Sequence, residues 1–302
     1  MIVFPGGHAM KIRTVITGLL VSLFSLNAAA QAPISPSDDT PYRNQSIEPF
    51  KIIDNVYFVG TTAHNTSYLI TGSDGHIIID TVYEETVPHI VRNVGKLGFK
   101  PEDIKMIIGT HAHDDHVAGH AAMKESTGAL VLSSAADKLI VETGGEGDDV
   151  RTGRAWSRVK VDRVIADGEK IQLGDIALTA HLTPGHTKGC TTFTMTVEEE
   201  GKSYDLLLLG GVRPAAEPIL GQANYPDMAK DLIKTFALLK TLPVDVYLGA
   251  HGYWYNLEEK IARMKKGEGY KAFIDPAGYR KAIDGWQQQF EEKIVAEAMA
   301  KK

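Results

Sequence analysis

His111, His113, Asp115 and His116 place four potential metal ligands within six residues, directly after the apolar run Met106-Ile107-Ile108. A hydrophobic core has no use for such a density of polar groups. Neutral imidazole is the commonest biological metal ligand, and carboxylate joins it on zinc. In an extended His-x-His segment both rings project to the same side of the chain. Asp115 and His116, past the turn, address a neighbouring position, so the segment points to two ions. Two further histidines sit in comparable places: Thr183-Pro184-Gly185-His186-Thr187 follows the strand-like run Ile176 to His181, and Gly249-Ala250-His251-Gly252 follows Val246 to Leu248. Glycine beside histidine permits the close backbone approach that metal-site loops require. If the three strands lie side by side, one cleft gathers six ligands.

The remaining histidines read differently. His64, in a connecting loop, His76, after a turn, and His89, on a helix face, are expected at the surface. His181 reads as a hydrogen-bonded strand residue and His120 as a group supporting the ligands. Trp156, Trp254 and Trp286 read as packing residues, with Trp254 near enough to His251 to line a pocket. Cys190 is the only cysteine, which excludes an intrachain disulfide and a cysteine-rich zinc module. Its setting beside Thr191 and Thr192 suits a small buried side chain rather than a nucleophile.

The elements that must position these groups follow from pattern. Strands are expected at Phe50 to Ile53, Val56 to Val59, Ser67 to Ile70 and Ile77 to Ile79, then at Met106 to Ile108 and Leu130 to Leu132. Helices are expected at Glu84 to Leu97, Val117 to Ser126 and Ala135 to Glu142. The β pattern resumes at Val161 to Ile165, Lys170 to Leu173, Ile176 to His181, Thr191 to Val197 and Tyr204 to Leu209. Asp227 to Leu242 is an amphipathic helix, Val246 to Leu248 a strand, and Leu257 to Lys266 and Pro276 to Ala300 are helices. The order is β then α, twice, with no linker between. It implies one α/β domain over residues 49–302, with two sheets face to face and helices outside.

The 302 residues, 43% of them hydrophobic, suffice for a substantial core. A net charge of −6 and no basic stripe exclude a nucleic-acid partner. Residues 1–30 read as a signal peptide: Lys11 and Arg13, an apolar run from Thr14 to Leu26, then Ala28-Ala29-Ala30. The run is short for a membrane span of about 20 residues, so removal and export to the periplasm, without a membrane anchor, are expected. Met10 offers a second possible start. Residues 31–48 form a polar leader.

Along its length from about Phe50, the chain resembles the metallo-β-lactamase superfamily, and within it the third subclass of the class B β-lactamases, subclass B3. The likeness is carried by Asn55-Val56-Tyr57-Phe58-Val59-Gly60, Gly75-His76-Ile77-Ile78-Ile79-Asp80-Thr81, the His111-x-His113-x-Asp115-His116 motif, Thr183-Pro184-Gly185-His186-Thr187, Ala250-His251, and the stretch Leu257 to Arg263. The resemblance implies a four-layer αβ/βα sandwich and two zinc ions per chain. His111, His113 and His186 would hold the first ion and Asp115, His116 and His251 the second, with Asp80 orienting a ligand histidine from behind. It implies that zinc makes hydroxide available at neutral pH to open a β-lactam ring, with Asp115 assisting proton transfer and a small molecule as substrate. One departure stands out. Most hydrolases of this fold carry a bridging aspartate after the strand that here ends Leu208-Leu209-Gly210-Gly211. Its absence matches subclass B3, but that subclass has serines at Gly211 and near Arg213. Gly211 and Arg213 would then face the substrate, with Arg213 supplying charge for a carboxylate. The alternative is a periplasmic hydrolase of another ester, lactone or phosphoester using the same ions.

Overall fold

In the computed structural model, residues 47–147, 155–212 and 218–300 are described. The expected signal peptide, nearly all of the expected leader and Arg213 lie outside them. Seven strands form one sheet in chain order: β1 (Phe50–Ile53), β2 (Val56–Phe58), β3 (Tyr68–Gly72), β4 (Gly75–Ile79), β5 (Ile104–Ile108), β6 (Leu130–Ser134) and β7 (Arg163–Ile165). Pairing is antiparallel up to β4 and parallel from β4 to β7. A second sheet holds β8 (Lys170–Leu173), β9 (Ile176–Leu182), β10 (Thr191–Glu199), β11 (Lys202–Leu209) and β12 (Val246–Gly249), in the order β12-β11-β10-β9-β8.

Strand alternation distributes the core. Ile77 and Ile79 of β4 face the second sheet and join one cluster with Phe193, Leu206 and Leu208, whereas Ile78 points the other way. There it packs with Ile90 and Val94 of helix α1 (Val87–Lys96). A strand buried on both faces reads as a continuous apolar run, as Ile77-Ile78-Ile79 does. On the far side of the second sheet, α5 (Met228–Leu239) and the long α7 (Pro276–Ala300) pack together, with Phe236 and Phe290 at 5.8 Å. The layers are therefore helix, sheet, sheet, helix, as the sequence implied. Among the described residues no helix is long and apolar enough to cross a membrane.

Strand direction decides where the loops emerge. β4, β5 and β6 run the same way, so their carboxyl ends share an edge. β9 and β11 are each antiparallel to β10, and β12 is parallel to β11, so the carboxyl ends of β9, β11 and β12 also emerge together. The two edges meet: Thr191 N–H donates to Thr110 O at 2.8 Å and Thr66 N–H to Ala250 O at 3.3 Å. Such an edge, outside the carboxyl ends of strands, is where α/β folds bind ligands.

Several helices are shorter than expected, and two of the differences lie beside the ligand loops. The single helix expected over Val117 to Ser126 is two: α2 (Asp114–Val117) and α3 (His120–Thr127). The Gly119 amide donates to Val82 O at 3.0 Å instead of continuing a helical ladder. Asp115 and His116 thus stand on a helical turn inside the ligand loop. The helix expected from Ala135 begins only at Lys138, as α4 (Lys138–Thr143).

Candidate metal centre

Two groups of donors assemble at the shared edge: His111, His113 and His186, and Asp115, His116 and His251, each with its ligand atoms within 4.8 Å of one another. In the first group the rings stand 4.7 to 4.8 Å apart, each pair nearly perpendicular. In the second, His116 Nε2 and His251 Nε2 are 3.2 Å apart, and Asp115 Oδ2 lies 3.7 Å from each. Three atoms held about 2.0–2.1 Å from one ion at tetrahedral angles stand roughly 3.4 Å apart, so this triangle suits a metal. The groups adjoin, with the His111 and His116 ring centres at 4.1 Å. All the donors are buried except His186, which is half-buried, so the cleft opens beside the β9–β10 loop.

Two of the donors are held in the form a cation requires. Burial, reinforced by the imidazoles of His116, His113, His186 and His251, holds His111 well below the usual histidine range. His251 is held down by burial and then by His116, against the opposing pull of Asp115. Both are neutral at physiological pH. His111 Nε2 is buried with no hydrogen-bond partner, a costly arrangement unless a cation takes the lone pair.

Asp80, at the carboxyl end of β4, organises both groups from behind. Its Oδ2 accepts His116 Nδ1 at 2.8 Å and the Thr110 hydroxyl at 2.8 Å, and its Oδ1 accepts the Thr110 amide at 2.7 Å. Thr110 Oγ1, having donated to Asp80, accepts from His111 Nδ1 at 3.2 Å. One carboxylate therefore sets the tautomer of a histidine in each group, leaving Nε2 as ligand. The backbone bends to allow it: Asp80 and Val82 both have φ of +59°. For β-branched Val82 this conformation costs about 1–3 kcal/mol. The amides of Thr81 and Val82, both bonded to His116 O, hold it in place.

These observations settle the family. The sequence pattern of the Metallo-beta-lactamase superfamily matches residues 60–251. The chain belongs to that superfamily. Among solved structures, the subclass B3 metallo-β-lactamase BJP-1 of Bradyrhizobium japonicum superposes with a TM-score of 0.80 at 36% identity, covering 87% of this chain and 99% of that one. Native FEZ-1 metallo-β-lactamase from Legionella gormanii gives 0.81 at 34% identity, with 84% and 98% covered. The human mitochondrial persulfide dioxygenase ETHE1 is 27% identical over 135 residues, 45% of this chain and 44% of that protein. The chain thus spans under half the length of this curated relative.

Within this superfamily site, several residues were not legible as participants. Asn65 donates through Nδ2 to Asp115 Oδ2 at 3.0 Å and to Asp115 O at 2.9 Å, and bridges to the His251 backbone. His64, expected at the surface, is buried; it stacks on Tyr253 and its ring lies 5.2 Å from His251. It belongs to neither donor group. His76 is also buried, edge-on to Phe99, because its strand is covered by α1 and the loop after it. His89 is exposed, and His181 bonds Thr194 Oγ1 at 2.8 Å. Trp254 backs the His251 ring at 4.7 Å and meets Trp286 on its other side. Lys260, one turn into α6 (Leu257–Arg263), is buried over the rings of Tyr247 and Tyr255, its charge paired with Asp275 at 3.0 Å. Cys190 is buried and its thiol pushed up to about 12 by that burial, which rules it out as a nucleophile at neutral pH.

Gly211 lies against the His186 loop. A Cβ there would stand 2.6 Å from His186 Cδ2 and 2.8 Å from Cys190 Sγ. A side chain at 211 therefore presses on a donor histidine before its own polar atoms can reach a substrate.

His120 bonds Thr81 Oγ1 through Nδ1 at 2.7 Å, and burial lowers its pKa to about 3. Below pH 6.5 the unfolded chain takes up a proton that folded His120 refuses. Stability contributed by keeping this ring neutral is complete above pH 6.5 and falls by about 1.4 kcal/mol per unit down to pH 3. Chemical denaturation of His120→Gln and wild type between pH 7 and 5 is expected to show a difference in pH dependence of about 2 kcal/mol. Parallel curves would mean that His120 titrates normally in the fold.

Proposed function

We propose that this chain is a dizinc β-lactamase exported to the periplasm. The observation that carries the reading is the composition of the two donor groups: His-His-His beside Asp-His-His, with Gly211 where a bridging carboxylate stands in most hydrolases of the fold. The likeness to BJP-1 and FEZ-1, at 36% and 34% identity over nearly their whole lengths, supports it.

His111, His113 and His186 would hold one ion and Asp115, His116 and His251 the other. When bound, zinc lowers the pKa of water towards 7 and polarises a carbonyl. The remaining work belongs to the chain. Asp80 keeps His111 and His116 in the tautomer that offers Nε2. Asn65 holds the Asp115 carboxylate in one orientation. Asp115 is the only carboxylate among the six donors, and so the group that carries a proton from the attacking water to the departing ring nitrogen. The buried walls around His116 and His251 exclude bulk water and strengthen each of these contacts. No side chain needs to be acylated.

The test is a substrate panel. Mature protein with zinc is expected to open a carbapenem or a cephalosporin, to lose that activity with a chelator and regain it with zinc, and to ignore serine-directed inactivators. Hydrolysis of an acyl lactone or an aryl phosphodiester with both β-lactams untouched would replace this reading with that of another metallo-hydrolase.

A further inference from the structure

Asp137 occupies the N-terminal cap of α4, where an aspartate ordinarily accepts an amide of its own helix. Here the side chain makes no such bond. It turns away, and its Oδ2 accepts the Ala112 amide at 2.8 Å and the Thr187 hydroxyl at 3.2 Å. Ala112 lies between His111 and His113, and Thr187 follows His186. The two loops belong to different sheets, one leaving β5 and the other β9. Asp137 is on neither, and it is not a donor in either group.

Its surroundings are built around this contact. The carboxylate is buried, with 2% of the residue exposed. Ser134 Oγ receives the Asp137 amide at 3.2 Å, fixing the turn before the helix. Gly189 makes room for the side chain: a Cβ there would fall 2.2 Å from both the Asp137 carboxyl carbon and Ser134 Oγ. Asp80 bonds His116 directly and reaches His111 through Thr110.

We infer that Asp137 is the positioning residue of the three-histidine group, a buried carboxylate that ties the His111–His113 loop to the His186 loop and so sets the spacing of its three donors. The inference rests on the metal-centre reading above. It implies that loss of Asp137 weakens one ion and spares the other, because His116, Asp115 and His251 are held by Asp80 and Asn65 instead.

The experiment is zinc titration of the metal-free full-length mature protein against a chromophoric chelator, with His186→Ala identifying the step that belongs to the three-histidine group. Asp137→Ala is expected to weaken that step by about 10–100-fold, the range for groups that orient ligands, and to leave the other within about twofold. Asp137→Asn is expected to recover most of the affinity, because one amide oxygen can accept both bonds. Thr187→Val removes one donor without touching the buried carboxylate, and is expected to weaken the same step by a smaller factor; it decides the matter if Asp137→Ala does not fold. Equal weakening of both steps, with a lowered melting temperature of the metal-free protein, would make Asp137 a general structural residue and overturn the inference. So would unchanged affinities, or Asp137→Asn as poor as Asp137→Ala. Wild-type protein that binds no zinc would overturn the metal-centre reading itself.

Discussion

Asp115→Asn is expected to lower β-lactam turnover by at least about 10²-fold, the scale of a lost proton-transfer and ligand-orienting group. The substitution keeps the shape of the side chain, so packing is preserved and the chemistry is isolated. Asp115 Oδ2 lies 3.7 Å from the Nε2 atoms of both His116 and His251, and receives Asn65 Nδ2 at 3.0 Å. Both contacts fall on one oxygen, which an amide can supply only without its charge. With its oxygen toward the two histidines it turns an NH2 away from them and offers a cation a neutral donor in place of a charged one; with the NH2 inward it repels the cation. In neither orientation can it accept and return a proton near neutral pH. Steady-state kinetics together with metal content per chain distinguish loss of the ion from loss of the proton carrier. Full activity with two ions bound would remove Asp115 from the centre of the reaction.

Asp80→Asn is expected to weaken both metal-binding steps, by about 10–100-fold each, where Asp137→Ala affects one. Every polar contact of the Asp80 carboxylate described above comes from a donor: the Thr110 amide, the Thr110 hydroxyl and His116 Nδ1. Whichever way an asparagine is turned, its NH2 meets one of them. At least one buried donor loses its acceptor, at a cost of about 1–3 kcal/mol. Asparagine is preferred to alanine for this test because the residue stands at φ +59°, a conformation that asparagine and aspartate tolerate better than other side chains with a Cβ. The measurements are zinc titration and the thermal midpoint of the metal-free protein. If only the step assigned to Asp115, His116 and His251 moves, the relay through Thr110 to His111 carries no weight.

The contrast between these residues explains what could be read from the chain alone. His111, His113, Asp115 and His116 declare themselves because they are neighbours in sequence, and a strand followed by a tight turn forces neighbours to share a site. His186 and His251 were recognisable from their flanks, a strand before and glycine beside. Asn65 and Asp137 gave no such signal. Each makes its decisive contact with a residue 50 positions away, and asparagine or aspartate before a helix or in a loop ordinarily serves its own turn. The burial of His64 escaped for a related reason, since its loop is covered by Tyr253, from the end of the other sheet.

The sequence by itself determined the class of the fold and the chemistry of the donors. Continuous apolar runs such as Ile77-Ile78-Ile79 identify strands buried on both faces, and residue types alone restrict the donors to imidazole and carboxylate because the single cysteine is not available to a cluster. The resemblance implied how the donors are grouped, but only the tertiary structure decided what brings each group together and what holds it. The groups depend on which strand ends share an edge, a matter of strand direction in two separate sheets. The supporting hydrogen bonds of Asp80, Asn65 and Asp137 cross between loops. Periodicity is local and reports one element at a time; the spacing of ligands from three loops is set by packing between sheets, which local pattern does not encode.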